Sequence, residues 1–230
     1  MIITGGTLNG GVYLDQQQVV TQGLTMWLDA GNPTSYPGSG STWFDLSGFG
    51  SNISLQNSPA WTAGTPAYFT FNAVDQYGLG STPQVLPNNQ YTKSMWLRLN
   101  DYADNNVVSS DAGGHFTYMA TTNRFYSGHS NWANYNAFAT TATFGLSEWY
   151  YVAVTFEAGV SMKMYVNGVL DSTSNYNLTP HPGNGSTNVA SFNGGNLLKG
   201  SIGEFFCYNR PLSAAEVLQN FNATRGIYGI

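Results

Sequence analysis

The chain has 230 residues, of which only 8% are charged, against roughly 25% in an ordinary soluble protein. So few Lys, Glu and Arg exclude a coiled coil or helical bundle, while 42% hydrophobic and 15% aromatic residues exclude a disordered chain. A net charge of −5, from 7 basic and 12 acidic side chains, excludes a protein that tracks nucleic-acid phosphates.

The length fits one large β-type domain with a short arm. Residues 1–22 read as that arm: glycines at 5, 6, 10 and 11 alternate with short apolar pieces, which could not form a core alone. A frayed terminus is the other reading of the same stretch. The domain proper occupies 23–230. Leu24–Asp29 is predicted as its first strand, ended by Ala30-Gly31-Asn32-Pro33, and a Gly/Ser/Pro loop covers 31–42. Pro66–Phe71 and Asp75–Leu79 are expected to be neighbouring strands. Thr92–Leu99 has period two, with Met95, Leu97 and Leu99 on one face and Ser94, Trp96 and Arg98 on the other. Trp149–Phe156 is continuously apolar, as a strand covered on both faces would be.

Ser161–Val166 and Val169–Ser172 flank Asn167-Gly168, the pair that suits the positive φ angles of a type I′ hairpin turn. A last strand is predicted over Ser201–Tyr208. One helix follows: Ser213-Ala214-Ala215-Glu216 is a capping box, Leu212 can staple against Val217, and the helix should fade near Asn222–Gly226. The single Cys207 lies in an apolar run and reads as a buried structural thiol. No stretch approaches the roughly 20 apolar residues of a membrane span, so no membrane insertion is expected.

Five pieces in order carry a resemblance. They are Trp27-Leu28-Asp29-Ala30-Gly31-Asn32; Trp43 with Asp45-Leu46-Ser47-Gly48; Phe71-Asn72-Ala73-Val74-Asp75-Gln76-Tyr77; Trp149-Tyr150-Tyr151-Val152-Ala153-Val154 with Met164-Tyr165-Val166-Asn167-Gly168; and Gly200-Ser201-Ile202-Gly203-Glu204 through Tyr208-Asn209-Arg210-Pro211-Leu212-Ser213 and Glu216. Over 23–226 the chain resembles the laminin-G-like members of the concanavalin A-like lectin/glucanase superfamily. The resemblance implies an all-β jelly-roll sandwich of two antiparallel sheets with one short C-terminal helix. The run Gln219–Ile230 further resembles the ending of such domains in structural proteins of tailed bacteriophages. That implies a virion role, as a capsid decoration or tail-associated adhesin on the particle surface. A free-standing lectin or bacterial surface adhesion module is the alternative. Met1–Gly6 shows no secretory signal, so synthesis in a host cytoplasm without processing is expected.

These residues bear on three kinds of chemistry: glycoside hydrolysis, metal binding and sugar binding. Glucanases of the superfamily use closely spaced carboxylates on one strand. Here Glu148, Glu157, Glu204 and Glu216 have no acidic partner two or four residues away, so no catalytic residues and no enzyme activity are expected. His115, His129 and His181 show no zinc-ligand spacing and sit among turn formers, as loop residues would. Calcium is the more natural ion. Asp101, Asp104, Asn105 and Asp111 are loop candidates, and Asp75 matches the family's Asp-Gly-x-Asp-Asp-Tyr pattern, in which Asn72-Ala73 and Gln76 are departures. The site taken forward is Asp75, Asp104 and Asp111, with no cofactor required; metal-free turns would use the same residues.

Sugar binding pairs an exposed ring with Asn, Asp and backbone groups that bond hydroxyls. His115–Phe138 has that composition, and Trp132, Tyr135, His129, Asn134 and Tyr126 are its candidate site; any of these rings could instead belong to the core. Trp27, Trp96 and Trp149 lie in predicted strands and read as structural. The sparse charge also suits packing against copies or a shell. The expected partners are therefore other virion proteins gripped by the N-terminal arm, copies of this chain in a trimer or other homo-oligomer, and a cell-surface glycan.

Overall fold

The structure, a computed structural model, describes residues 18–81, 89–103, 105–110, 116–120, 122–130, 135–180 and 185–230, with the backbone alone at 116–120, 135 and 136. In chain order the strands are β1 (Leu24–Asp29), β2 (Thr42–Trp43), β3 (Ile53–Gln56), β4 (Ala60–Thr62), β5 (Tyr68–Asn72), β6 (Tyr77–Gly80), β7 (Gln90–Leu99) and β8 (Asn105–Ser110). They continue as β9 (Phe116–Ala120), β10 (Arg124–Ser130), β11 (Tyr135–Ala139), β12 (Trp149–Glu157), β13 (Ser161–Val166), β14 (Val169–Ser174), β15 (Thr187–Val189) and β16 (Lys199–Tyr208). The helix α1 spans Ala214–Thr224, and a single 3-10 turn follows at Arg225–Ile227.

Two eight-stranded sheets result. The first runs β14-β13-β12-β7-β16-β5-β4, with β1 added to β16; the second runs β11-β10-β9-β8-β15-β6-β3-β2. Every pairing is antiparallel. The last strand in sequence lies in the middle of its sheet: β7 covers one side of β16, while β5 takes its first half and β1 its second half on the other. Between the sheets sits a core that includes Trp43, Phe69, Met95, Leu97, Phe125 and Phe156.

The first sheet is also covered on its outer face. Trp96, Tyr151, Phe206 and Tyr208 point there and pack under Val217 and Phe221 of α1 and under Tyr228. This explains why β7 and β12 are buried at nearly every position, as the apolar run Trp149–Phe156 predicts. The hairpin turn has the expected form, with φ of +49° at Asn167 and +79° at Gly168. In the capping box the Glu216 N–H donates to Ser213 Oγ at 3.3 Å, and the Glu216 carboxylate accepts from the Ser213 N–H at 2.8 Å. Leu212 and Val217 share one apolar cluster, as a staple requires. Cys207 is buried.

Residues 1–17 of the expected arm lie outside the described residues. Its last five residues lie against the domain's end: the Val20 N–H donates to Asn220 Oδ1 (2.8 Å), Tyr208 Oη donates to the Val20 carbonyl (3.0 Å), and Arg210 Nε donates to the Gln22 carbonyl (3.0 Å).

Several strand ends differ from expectation by a residue or two, and β5 and β6, expected to be neighbours, lie in different sheets, because the turn between them carries the chain from the first sheet to the second. Asp75 is not in a strand: Asn72 Oδ1 accepts from the N–H groups of Val74, Asp75 and Gln76, which builds a turn and delays β6 to Tyr77.

Candidate functional site

The outward face of the second sheet is built by register. Thr42 pairs with Ser54, Ser54 with Leu79, Leu79 with Asn188, and Asn188 with Ser109, so five strands present one transverse row. Asn188 and Ser109 are buried, and Ser109 Oγ donates to the Ser191 carbonyl at 2.7 Å, so that half of the row is structural. The other half is open. A hollow of about 410 Å³ is lined by Thr42, Asn52, Ser54, Leu79, Gly80, Ser81 and Ser186. Its polar groups are short, its floor is apolar, and its size suits one or two sugar rings. Farther along the same sheet, Tyr126 on β10 is half-buried, with its hydroxyl 3.0 Å from Thr122 Oγ1.

A second groove, of about 540 Å³, runs between the β13–β14 hairpin and the start of α1. Arg210 lies in it and donates to both oxygens of Glu216, at 3.0 and 2.6 Å, which holds that carboxyl down to about 2. Glu157 and Lys163 also line it, but its one aromatic, Tyr165, is buried and offers no ring to a pyranose.

A third place brings together carboxylates that linear spacing kept apart. Asp29 on β1 and Glu204 on β16 are directly opposed across the strand pair. Both line a small hollow of about 190 Å³, with Tyr228 and the 64–67 loop. Glu204 is 2% exposed, and burial pushes its carboxyl well above the usual carboxylate range, with Asp29 adding to the rise. Burial also raises Asp29, against the hydrogen bonds its side chain accepts from the N–H groups of Gly31 and Asn32. This hollow is smaller than two sugar rings flanking a scissile bond would need.

Several expected site residues take other places. His129 was expected in a loop and is instead fully buried on β10, facing the core beside Tyr91, Phe156 and Tyr176. Its Nε2 lies 2.7 Å from the Leu178 carbonyl, which can only accept, so Nε2 carries the hydrogen and Nδ1 receives the Tyr91 hydroxyl at 3.1 Å. Strand alternation turns His129 inward with Phe125 and Ser127, and no sugar reaches it. Much of the segment 115–138 forms the three strands β9, β10 and β11. Tyr135 begins β11, while Trp132 and Asn134 lie outside the described residues.

The calcium candidates are not gathered either. Asp75 is exposed and accepts from Asn72 Nδ2 at 3.0 Å; Asp101 pairs with Lys199 at 3.6 Å; Asn105 is buried in β8. Asp104 and Asp111 lie outside the described residues. Among the described residues no three His, Cys, Asp or Glu side chains group to hold a metal ion. Trp96 is fully buried, and Trp27 and Trp149 pack against its cluster, as structural tryptophans do.

A laminin-G-type family model, described as the concanavalin A-like lectin/glucanases superfamily, matches residues 72–218. The chain belongs to that superfamily. The superfamily member is also similar in fold to solved binding domains of clostridial toxins. The binding domain of Paraclostridial Mosquitocidal Protein 1 superposes with a TM-score of 0.71 at 16% identity, over 88% of this chain and 52% of that one. The binding domain of botulinum neurotoxin DC superposes with a TM-score of 0.70 at 13% identity, over 89% of this chain and 52% of that one, both in its complex with rat synaptotagmin II and in its complex with SialylT. This chain therefore spans about half the length of those domains. At these identities the likeness is one of fold. No protein with a curated description matches the sequence.

Proposed function

We propose that the chain is a non-enzymatic carbohydrate-binding domain carried on the outside of a tailed-phage particle, as a capsid decoration or a tail-associated adhesin. The observation that carries the binding half is the open hollow on the second sheet of a lectin-superfamily sandwich, with its apolar floor and short polar rim. The solved domains of similar fold support it, one of them in complex with SialylT. A glycan lying across the sheet would have hydroxyls bonded by the short Ser, Thr and Asn side chains of the hollow, while a ring farther along it stacks on Tyr126, four strands away on β10.

The virion half rests on the C-terminal run Gln219–Ile230 and on the arm, whose last residues are tied to α1. In this reading residues 1–17 reach a neighbouring chain, and the copies form a symmetric homo-oligomer. A free-standing lectin or bacterial surface module is the second reading, favoured by the likeness to bacterial toxin binding domains.

Glycan-array binding of the purified chain, with calcium and with chelator, tests the binding half; silence in both conditions would leave a scaffold whose only ligand is its own particle. Deleting residues 1–17 tests the other half. Loss of particle incorporation with an intact fold is expected, and normal incorporation would remove the arm's role.

A further inference from the structure

The edges of the first sheet are treated unequally. The outer side of β1 is covered: the Trp27 N–H donates to Asp45 Oδ1 at 2.8 Å, and the Leu46 N–H donates to the Trp27 carbonyl at 2.8 Å. At the far edge β4 is only three residues long. The opposite edge, β14, is six residues long and pairs with β13 alone among the described strands. Sheet edges are commonly guarded by free charges or proline. The one charged residue of β14, Asp171, is instead occupied, accepting from the N–H groups of Thr141 and Ala142. Beside it Val169 is 66% and Leu170 49% exposed. Leu170 also lines the groove of about 540 Å³, with Thr155, Lys163, Pro211 and the exposed Val160. Exposed Leu218 of α1 reaches the same hairpin at Gly168.

The chain carries a segment that matches this surface. Residues 1–14 hold no charged side chain, and Gly11-Val12-Tyr13-Leu14 combines β-branched and aromatic residues. As a strand it would set Val12 and Leu14 on one face and Tyr13 on the other. The root of the arm is fixed beside α1, where Gln219 Nε2 donates to the Gln18 carbonyl at 2.8 Å. That root lies on the β16 side of the helix, since Val20 bonds both Asn220 and Tyr208, whereas Leu218 meets the β13–β14 turn on the other side. Leu14 is four residues from Gln18, about 13 Å of extended chain, and α1, about 10 Å thick, stands between that root and the groove of the same copy. A neighbour's groove needs no such detour.

We infer that Gly11–Leu14 of one copy adds as a strand to β14 of the next, with Val12 and Leu14 set over Leu170 at the groove. The inference rests on the reading of residues 1–17 as an arm, and it names the surface that receives them. Backbone pairing along β14 supplies the hydrogen bonds, and the apolar side chains supply the buried area. Donor and acceptor surfaces differ, so the contact joins copies head to tail, as in a ring.

The test is the mass of the purified full chain in solution, read by light scattering after size exclusion. The unaltered chain is expected to be an oligomer. Leu170→Asp spoils the acceptor at a half-exposed position, and Val12→Asp combined with Leu14→Asp spoils the donor. Each protein is expected to fall to single chains with unchanged circular dichroism. An equimolar mixture of the two is expected to form dimers, because the intact arm of the first fits the intact edge of the second. Single chains in that mixture, or an oligomer that persists in either variant, would overturn the inference. An unaltered chain that is already single would overturn it too. If deleting residues 1–17 then still abolished particle incorporation, the arm would grip a different virion protein, and only its assignment to β14 would fall.

Discussion

Trp96 and Tyr228 lie face to face, with ring centroids 4.1 Å apart and planes 11° from parallel. Through this contact the chain's last residues close the outer face of the first sheet. The Trp96 indole donates to Thr224 Oγ1 at 2.7 Å, and Trp149 meets the Tyr228 ring edge-on at 5.0 Å. One tyrosine therefore joins β7, β12, α1 and the hollow above Gly203.

Removing that ring should be costly. Tyr228→Ala is expected to destabilise the fold by about 3 kcal/mol, since it empties a buried aromatic site. Urea unfolding measures this, and tryptophan emission should shift to the red as water reaches Trp96. An unchanged midpoint would show that the C-terminal turn is peripheral.

Glu204 gives a pH dependence of defined sign in calcium-free buffer. Its carboxyl is raised by burial, with Asp29 next, so the folded state holds a proton that the unfolded state releases above its ordinary value near 4.5. Stability from this group is complete below that pH and declines as pH rises toward the raised folded value. Glu204→Gln should flatten the decline, with the difference read from urea midpoints between pH 4 and 8. Lys93, lowered by burial, contributes with the opposite sign in both proteins and cancels in the comparison.

Lys93 itself is a liability. It is fully buried on β7, its Nζ has no hydrogen-bond partner, and the Tyr91 ring centroid lies 5.8 Å away. Lys93→Met keeps the stem's bulk without the unsatisfied amine and is expected to gain about 1–3 kcal/mol at neutral pH. A loss of stability in the same urea measurement would show that the amine is satisfied in solution.

Ala73 occupies the left-handed region at φ +60°, at the point where the family pattern has glycine. An L-residue pays about 1–2 kcal/mol there, part of which returns when glycine loosens the unfolded chain. Ala73→Gly is expected to raise stability by about 0.5–1 kcal/mol, measured by thermal melting. A drop in melting temperature would mean that the Asn72 turn already accommodates the methyl group.

What was legible in the sequence was local chemistry with a strong signature. Asn167-Gly168 names its turn, Ser213 and Glu216 name the start of a helix, and the run Trp149–Phe156 reports cover on both faces. The strands β8 to β11 were not legible, because Asn105, Asn106, Ser109, Ser127 and Gly128 are buried without apolar alternation. His129 misled for a related reason: a polar ring between turn formers reads as a loop residue, yet the core supplies partners for both its nitrogens. Asp29 and Glu204 belong to strands at opposite ends of the chain, and only the register of β1 on β16 makes them neighbours.

Glycan binding is proposed for the second sheet's outward face. Its most direct test is titration of the best glycan from the array into the unaltered chain, Tyr126→Ala, Trp132→Ala, and Leu170→Asp in the groove beside α1. At least a tenfold loss of affinity is expected for one or both aromatic variants and none for Leu170→Asp. Loss confined to Leu170→Asp would contradict it and move the binding site to the first sheet.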